Sequence, residues 1–155
     1  MNDTTLLHLF SEDIGHAEQL LELLESETQA LTSQDLTSLE TILTSKQTLL
    51  ALLDQHGRAR SRVLVSLNLS ADRAGLQALA KASAQGEELL AAGDRLSALL
   101  RECQDTNLRN GRLIRASQTS VTKLLGILRG AEVPNLYNNR GATSRVGYQR
   151  PLSQA

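Results

Sequence analysis

Histidine, cysteine and acidic side chains are the residues of this 155-residue chain that could support catalysis or bind a metal. Among its three histidines, His16 follows Asp13 with the acid-x-x-His spacing that di-iron helical bundles use. Such bundles repeat that spacing with glutamate and add inward glutamates from other helices, and this chain has no second copy. The pattern therefore predicts neither a metal site nor a cofactor.

Nucleophilic catalysis has equally little support. The single cysteine, Cys103, lies at a helical heptad position with no histidine near it in the sequence, as expected of a small buried apolar residue. The chain has no Gly-x-Ser-x-Gly, Gly-x-Gly-x-x-Gly or P-loop motif, so neither a serine nucleophile nor a phosphate-binding loop is indicated. A lone cysteine also fits a reducing compartment. We therefore expect a protein of a reducing compartment that is not an enzyme.

Leucine and alanine dominate the apolar residues that must build the fold. The chain has 32 leucines and 17 alanines, whereas valine and isoleucine together number nine. This mixture favours helices, because strands draw on branched and aromatic residues. The longest unbroken apolar stretch, residues 49–53, is far shorter than the ~20 residues of a membrane span. We expect an all-α protein without membrane insertion.

Apolar heptads predict an elongated antiparallel helical bundle or coiled coil of three long helices plus one short helix, with a flexible C-terminal tail. The bundle is expected over residues 1–130, with helices at about 4–31, 35–67, 71–82 and 84–130. Asp35 or Ser33 is the expected cap of the second helix, and Ser70 that of the third. Whether the third helix continues into the fourth is left open by the sequence.

The first two helices each have a regular apolar seam. The seam of the first contains Leu7, Phe10, Ile14, Ala17, Leu21, Leu24 and Leu31. That of the second contains Leu36, Leu39, Leu43, the polar Lys46, Leu50, Leu53, Leu64 and Leu67. Leu6 and Leu20 widen the first seam, and Ile42 and Leu49 widen the second. Such widening predicts helices that each touch two neighbours.

The fourth helix combines apolar ends with a polar middle. Its heptad positions are Leu89, Leu96, Leu100, Cys103, Asn107, Asn110, Ile114, Ser117, Val121, Leu124 and Leu128. Asparagine at such positions lowers stability but fixes register or partner choice, and Gly111 weakens the helix further. The alternative interpretation is a hinge or an exposed break. The apolar face beyond Gly111 is wide enough for helix-in-groove recognition, although burial within the bundle is the more common case.

Charge is unevenly distributed along the chain. Residues 1–54 carry a net charge of −9 and residues 101–155 one of +6, which favours helices of opposite sign packed side by side. No aromatic residue alternates with the basic positions, so we expect no nucleic-acid binding. Residues 131–155 contain both prolines and both tyrosines, and we interpret them as a flexible basic tail.

Two stretches resemble the FlgN-like flagellar export chaperones. One is residues 35–50, with regularly spaced leucines and Lys46 one turn before a Leu-Leu pair. The other, more specific stretch is the Asn-x-x-Asn-Gly motif at residues 107–111, continuing through Ile114 to Gly130 and then Leu136-Tyr137. The similarity covers residues 5 to about 140, and the tail here is longer and more basic than the family pattern.

The resemblance implies a cytoplasmic export chaperone. Such a protein would bind the C-terminal helical segments of the hook-associated, or hook-filament junction, proteins and keep them unassembled until type III secretion. The implied client-binding residues are Asn107, Asn110, Leu113, Ile114, Val121, Leu124, Leu125 and Leu128. Tyr137 would dock at the flagellar export gate. The chaperone would be a monomer or weak homodimer; the alternative function is a self-associating coiled-coil adaptor without a secretion client.

Overall fold

A computed structural model describes residues 1–129 of the chain. Its four helices are α1 (Asn2–Ser33), α2 (Leu36–Ser66), α3 (Arg73–Ala82) and α4 (Gly86–Arg129). Helices account for 91% of the described residues, among which there is no strand. The predicted all-α fold of three long helices and one short helix is confirmed. Each observed boundary lies within two residues of the predicted one.

The turns between the helices follow from a few polar residues and glycines. Gln34 ends α1 in the left-handed conformation, and Asp35 caps α2 by accepting a hydrogen bond from the Ser38 amide. Hydrogen bonds from Ser38 lower the pKa of Asp35. The cap of α3 is Asp72 and not the predicted Ser70, because the Asp72 carboxylate accepts a hydrogen bond from the amide of Gly75. The Ser70 hydroxyl donates to the same carboxylate.

Residues 83–85 separate α3 from α4, so the two helices are not continuous. Ser83 is extended, with φ −106° and ψ 142°. Gly86 begins α4 directly against the backbone carbonyl of Ala80, where a Cβ atom would collide. This close approach requires glycine and brings the chain back onto α3 within one short turn.

The core lies where α1 contacts α2 and α4. Asp13 of α1 contacts His56 of α2, and Glu27 contacts Lys46, so α1 and α2 are antiparallel. Cys103 and Asn110 of α4 donate to carbonyls of α1 in ascending order along both helices, so α1 and α4 are parallel. One apolar cluster contains Leu6, Phe10, Ala17, Leu64, Leu76, Leu89 and Leu96. A second contains Leu20, Leu24, Leu49 and Cys103.

The apolar seams of α1 and α2 are rotated relative to the predicted ones. Leu6 and Leu20 are buried in α1 while Leu7 and Leu21 are half-buried. In α2 the buried positions are Ile42, Leu49 and Leu64. Three leucines predicted to lie in the α2 seam are exposed instead, and we call them the α2 stripe: Leu36, Leu43 and Leu50. The rotation arises because each helix turns the middle of a wide apolar face toward its neighbours.

The chain divides into two compact units, and the boundary between them falls within α4, after Leu113. Residues 1–113 form one unit, and the remainder of α4, from Ile114, belongs to a second. None of the helices in the described part of the chain has the length and hydropathy needed to cross a membrane.

Candidate functional site

Asn110 is the centre of a buried polar layer in the first unit. Its side chain is fully buried, with 0% exposure. Its amide Nδ2 donates to the carbonyl oxygen of Leu24 at 2.9 Å and to Oε1 of Glu27 at 3.0 Å. Its Oδ1 accepts a 2.6 Å hydrogen bond from the hydroxyl of Thr28. Every polar atom of this side chain therefore has a partner on α1.

The second oxygen of Glu27 extends the layer to α2. Lys46 Nζ lies 2.9 Å from Glu27 Oε2 and 3.1 Å from Asn107 Oδ1. Glu27 is itself buried, at 7% exposure, and a buried carboxylate is tolerated only when it is paired. The layer thus joins all three long helices through hydrogen bonds that only one register of the helices satisfies.

These contacts separate the two predicted asparagines of the client-binding set. Asn110 contacts its own bundle and has no exposed surface with which to contact a client. Asn107 is exposed and makes one hydrogen bond, to Lys46. Because its hydrogen bonds all go to α1, Asn110 is suited to fixing the register of α4 against α1, as an asparagine at a heptad core position does.

Gly111 does not interrupt the helix. α4 is continuous from Gly86 to Arg129, and a Cβ atom at Gly111 would meet nothing within 4 Å. Neither close packing nor backbone conformation requires glycine at this position.

Beyond Asn110 the apolar positions of α4 are exposed. Leu113, the last residue of the first unit, is 38% exposed. In the second unit five apolar residues are between 40% and 71% exposed, and we call them the C-terminal stripe: Ile114, Val121, Leu124, Leu125 and Leu128. Leu124 occupies the heptad position that Leu89, Leu96, Cys103 and Asn110 occupy in the buried part of the same helix. Ile114, Val121 and Leu128 continue the position of Leu100 and Asn107, which is already exposed in the first unit.

Basic residues accompany the C-terminal stripe. Arg112, Arg115, Lys123 and Arg129 are all exposed. Within residues 1–129, none of them forms an ion pair. A helix of this kind, apolar along one face and cationic elsewhere, is suited to binding another helical segment through its apolar face.

Cys103 has the surroundings of a structural residue. It is buried and its Sγ lies 3.5 Å from the carbonyl oxygen of Ala17. Burial, with a smaller contribution from the Glu102 charge, raises the pKa of the thiol. The reactive thiolate is therefore disfavoured, and this arrangement gives no nucleophile.

Several polar contacts were not predictable from heptads. Asp13 and Glu27 lie on the buried face of α1, where all the other buried residues are apolar. Their partners are far away in the chain, so spacing alone gives no signal for them. Tyr137 and the predicted tail at 131–155 lie outside the described residues.

Comparison with known proteins adds sequence and structural relatives. The model of the family described as FlgN protein matches residues 1–145. A crystal structure of a protein described as flagella synthesis protein FlgN, from Pseudomonas aeruginosa, superposes with a TM-score of 0.69 at 51% sequence identity. The match covers 81% of this chain and 96% of that one. No curated protein matches the sequence.

Proposed function

The chain belongs to the FlgN family and has a flagellum-related role, and we propose that it is a flagellar type III export chaperone. Its clients would be the C-terminal helical segments of hook-associated proteins at the hook-filament junction. It would hold these segments unassembled until secretion. In this proposal it acts in the cytoplasm, as a monomer or weak homodimer, and has no enzymatic activity.

The observation that supports the proposal is the exposure of the C-terminal stripe. Its five residues are large and apolar, and they share one face of α4. Contiguous exposed apolar surface on a protein marks an interaction site more often than scattered single residues do. A client helix laid along this face would bury the side chains that the second unit leaves in water.

The energetics fit a disordered client. Full burial of one leucine or valine contributes about 1.5–3 kcal/mol, and partly exposed side chains gain a fraction of that. Folding a disordered segment on binding opposes this gain by about 2–5 kcal/mol or more. Several stripe residues must therefore act together, and the resulting affinity stays low enough for release at the export gate. Tyr137 remains the proposed gate-docking residue.

The test is calorimetric binding of the full chain to C-terminal peptides of the organism's hook-filament junction proteins, with a flagellin C-terminal peptide as the specificity control. We expect saturable binding to the junction peptides alone. The double variant Leu124→Asp with Leu128→Asp places two charges in the stripe and should abolish binding. Its helix content should stay unchanged, because both side chains are already exposed.

The α2 stripe provides the matched control. Leu43 and Leu50 are 54% and 50% exposed, so Leu43→Asp with Leu50→Asp introduces the same two charges on another exposed apolar face. This variant should bind the peptides as the wild type does. Loss of binding in the α2 variant, with retention in the α4 variant, would place the client face on α2.

The second candidate function is a self-associating adaptor, and the α2 stripe is the observation that favours it. Leu36, Leu43 and Leu50 repeat every seven residues and are exposed, as in a seam that closes on a second copy. A monomer mass by light scattering that is independent of concentration would exclude this function. A dimer that Leu43→Asp with Leu50→Asp dissociates would support it.

A further inference from the structure

Asp13 is the centre of a second polar cluster, distinct from the Asn110 layer. Its side chain is fully buried between α1 and α2, with 0% exposure. Oδ1 of Asp13 lies 2.8 Å from Nδ1 of His56 and 3.4 Å from Nδ1 of His16. Its other oxygen, Oδ2, is paired with the guanidinium of Arg60. The two carboxylate oxygens thus face different groups.

The three side chains around Oδ1 form a compact donor set. One nitrogen or oxygen donor from each of Asp13, His16 and His56 lies within 4.8 Å of the other two. Donors bound to a tetrahedral zinc ion at about 2.0–2.1 Å are separated by about 3.3 Å. The two histidine-to-aspartate distances are close to that separation. The donor atoms of the set lie within 4.8 Å of one another, so zinc binding would require the partly exposed imidazoles of His16 and His56 to rotate toward each other.

The neighbours of the donor set are arranged like the outer shell of a metal site. Arg60 pairs with Oδ2 of Asp13, so Oδ1, which faces the two histidines, would be the single ligand atom of this carboxylate. The Arg60 guanidinium also lies 5.2 Å from the centre of the Phe10 ring. Nε2 of His56 lies 3.9 Å from the carboxylate of Glu12. A carboxylate that accepts a hydrogen bond from the far nitrogen of a histidine is the usual orienting partner of a metal ligand. Glu12 is an ion-pair neighbour at 3.9 Å, and its exposed side chain would make this hydrogen bond by a rotation toward His56.

We propose that Asp13, His16 and His56 form a binding site for Zn²⁺ that joins α1 to α2. Two imidazoles and one carboxylate are a donor set that zinc accepts and that Ca²⁺ and Mg²⁺ do not favour. The histidine side chains are 22% and 16% exposed, so a water molecule completes the tetrahedron from the solvent side. The Asp13-x-x-His16 spacing alone did not indicate this site, because its third ligand comes from another helix.

The experiment uses the full chain freed of metal with a chelator and titrated with ZnCl₂ by calorimetry. We expect one zinc ion per chain and a rise in melting temperature, because an ion that binds only the folded state stabilises it. Titration with Co²⁺ in place of zinc should give visible absorption bands of a four-coordinate site. Absence of stoichiometric zinc binding to the wild type would overturn the proposal.

The three histidines of the chain supply the variants and their control. His16→Gln and His56→Gln should each weaken zinc binding by at least about tenfold, since even outer-shell partners contribute about 10- to 100-fold. His8→Gln, on the same helix but with a side chain 71% exposed, should bind as the wild type does. Equal weakening in all three variants, or in none, would assign the metal to the surface and contradict the proposal.

A variant outside the donor set protects the test against misfolding. Glu12→Gln leaves all three donors in place and changes an exposed residue. The metal-free variant should therefore have the same melting temperature as the metal-free wild type. It should weaken zinc binding by up to about 100-fold, because it removes the orienting carboxylate of His56. Unchanged zinc affinity in Glu12→Gln together with unchanged affinity in His56→Gln would exclude His56 as a ligand.

Discussion

The two parts of α4 have the same apolar repeat and opposite environments. At one heptad position the side chains from Leu89 to Asn110 are buried, whereas at the same position further along the helix Ser117 and Leu124 are exposed. Asn110 is the last buried residue of the described helix. The repeat therefore identifies which face of a helix is apolar, but it does not tell whether the same chain covers that face.

The polar layer marks the change between the two parts. Apolar clusters precede it in the first unit, and its hydrogen bonds hold Asn110, Glu27 and Lys46 in one arrangement. Polar contacts of this kind specify a single register where leucines alone would permit several. We infer that the layer fixes α4 while the apolar residues that follow it stay available for a partner.

The largest expected difference is between leucine truncations in the two parts of α4. Leu96→Ala should lower the free energy of unfolding by about 2–5 kcal/mol, because Leu96 is buried in the first apolar cluster. Leu124→Ala should change it by no more than about 0.5 kcal/mol, since the side chain is exposed. Urea unfolding measures both. An equal loss for Leu124→Ala would mean that a second copy buries the C-terminal stripe in solution.

The next difference is between the two asparagines of the motif. Asn110→Ala should lower the free energy of unfolding by about 1–3 kcal/mol, because it removes three hydrogen bonds from a buried layer and leaves Oε1 of the buried Glu27 without its donor. Asn107→Ala, at an exposed position, should stay within about 0.5 kcal/mol of the wild type. Similar denaturation midpoints for both variants would show that the polar layer does not stabilise the bundle.

The smallest effect is expected at Gly111, and it has the opposite sign. Gly111→Ala should raise stability by about 0.5–1 kcal/mol, because alanine favours the helix and the site has room for a Cβ atom. Gly93→Ala is the packing control. There the Cβ atom would lie 2.9 Å from Cδ2 of Leu76, and overpacking should lower stability by about 1–3 kcal/mol.

Gly111→Ala also distinguishes a rigid helix from a hinge. A rigid α4 predicts that the variant binds junction peptides with the wild-type Kd in calorimetry. Weaker binding by a variant that is more stable than the wild type would show that bending at Gly111 is part of client recognition.

The sequence predicts the helices well because leucine spacing and turn residues are local signals. It predicts the buried face less accurately, since a wide apolar face can be rotated by one position without changing its periodicity, as Leu6 and Ile42 show. The buried charges of Asp13 and Glu27 were not predictable, because their partners His56 and Lys46 lie on another helix. The exposure of Leu124 depends on where intramolecular packing stops, and spacing does not encode that point.

Hydrogen exchange of the full chain with and without a junction-protein peptide tests the central claim most directly. Residues 113–129 of α4 should gain protection when the peptide binds, because it covers the C-terminal stripe, whereas α1 and α2 should exchange as before. Gained protection in α2 around Leu43, with none in α4 beyond Asn110, would contradict the claim that this stripe is the client-binding face.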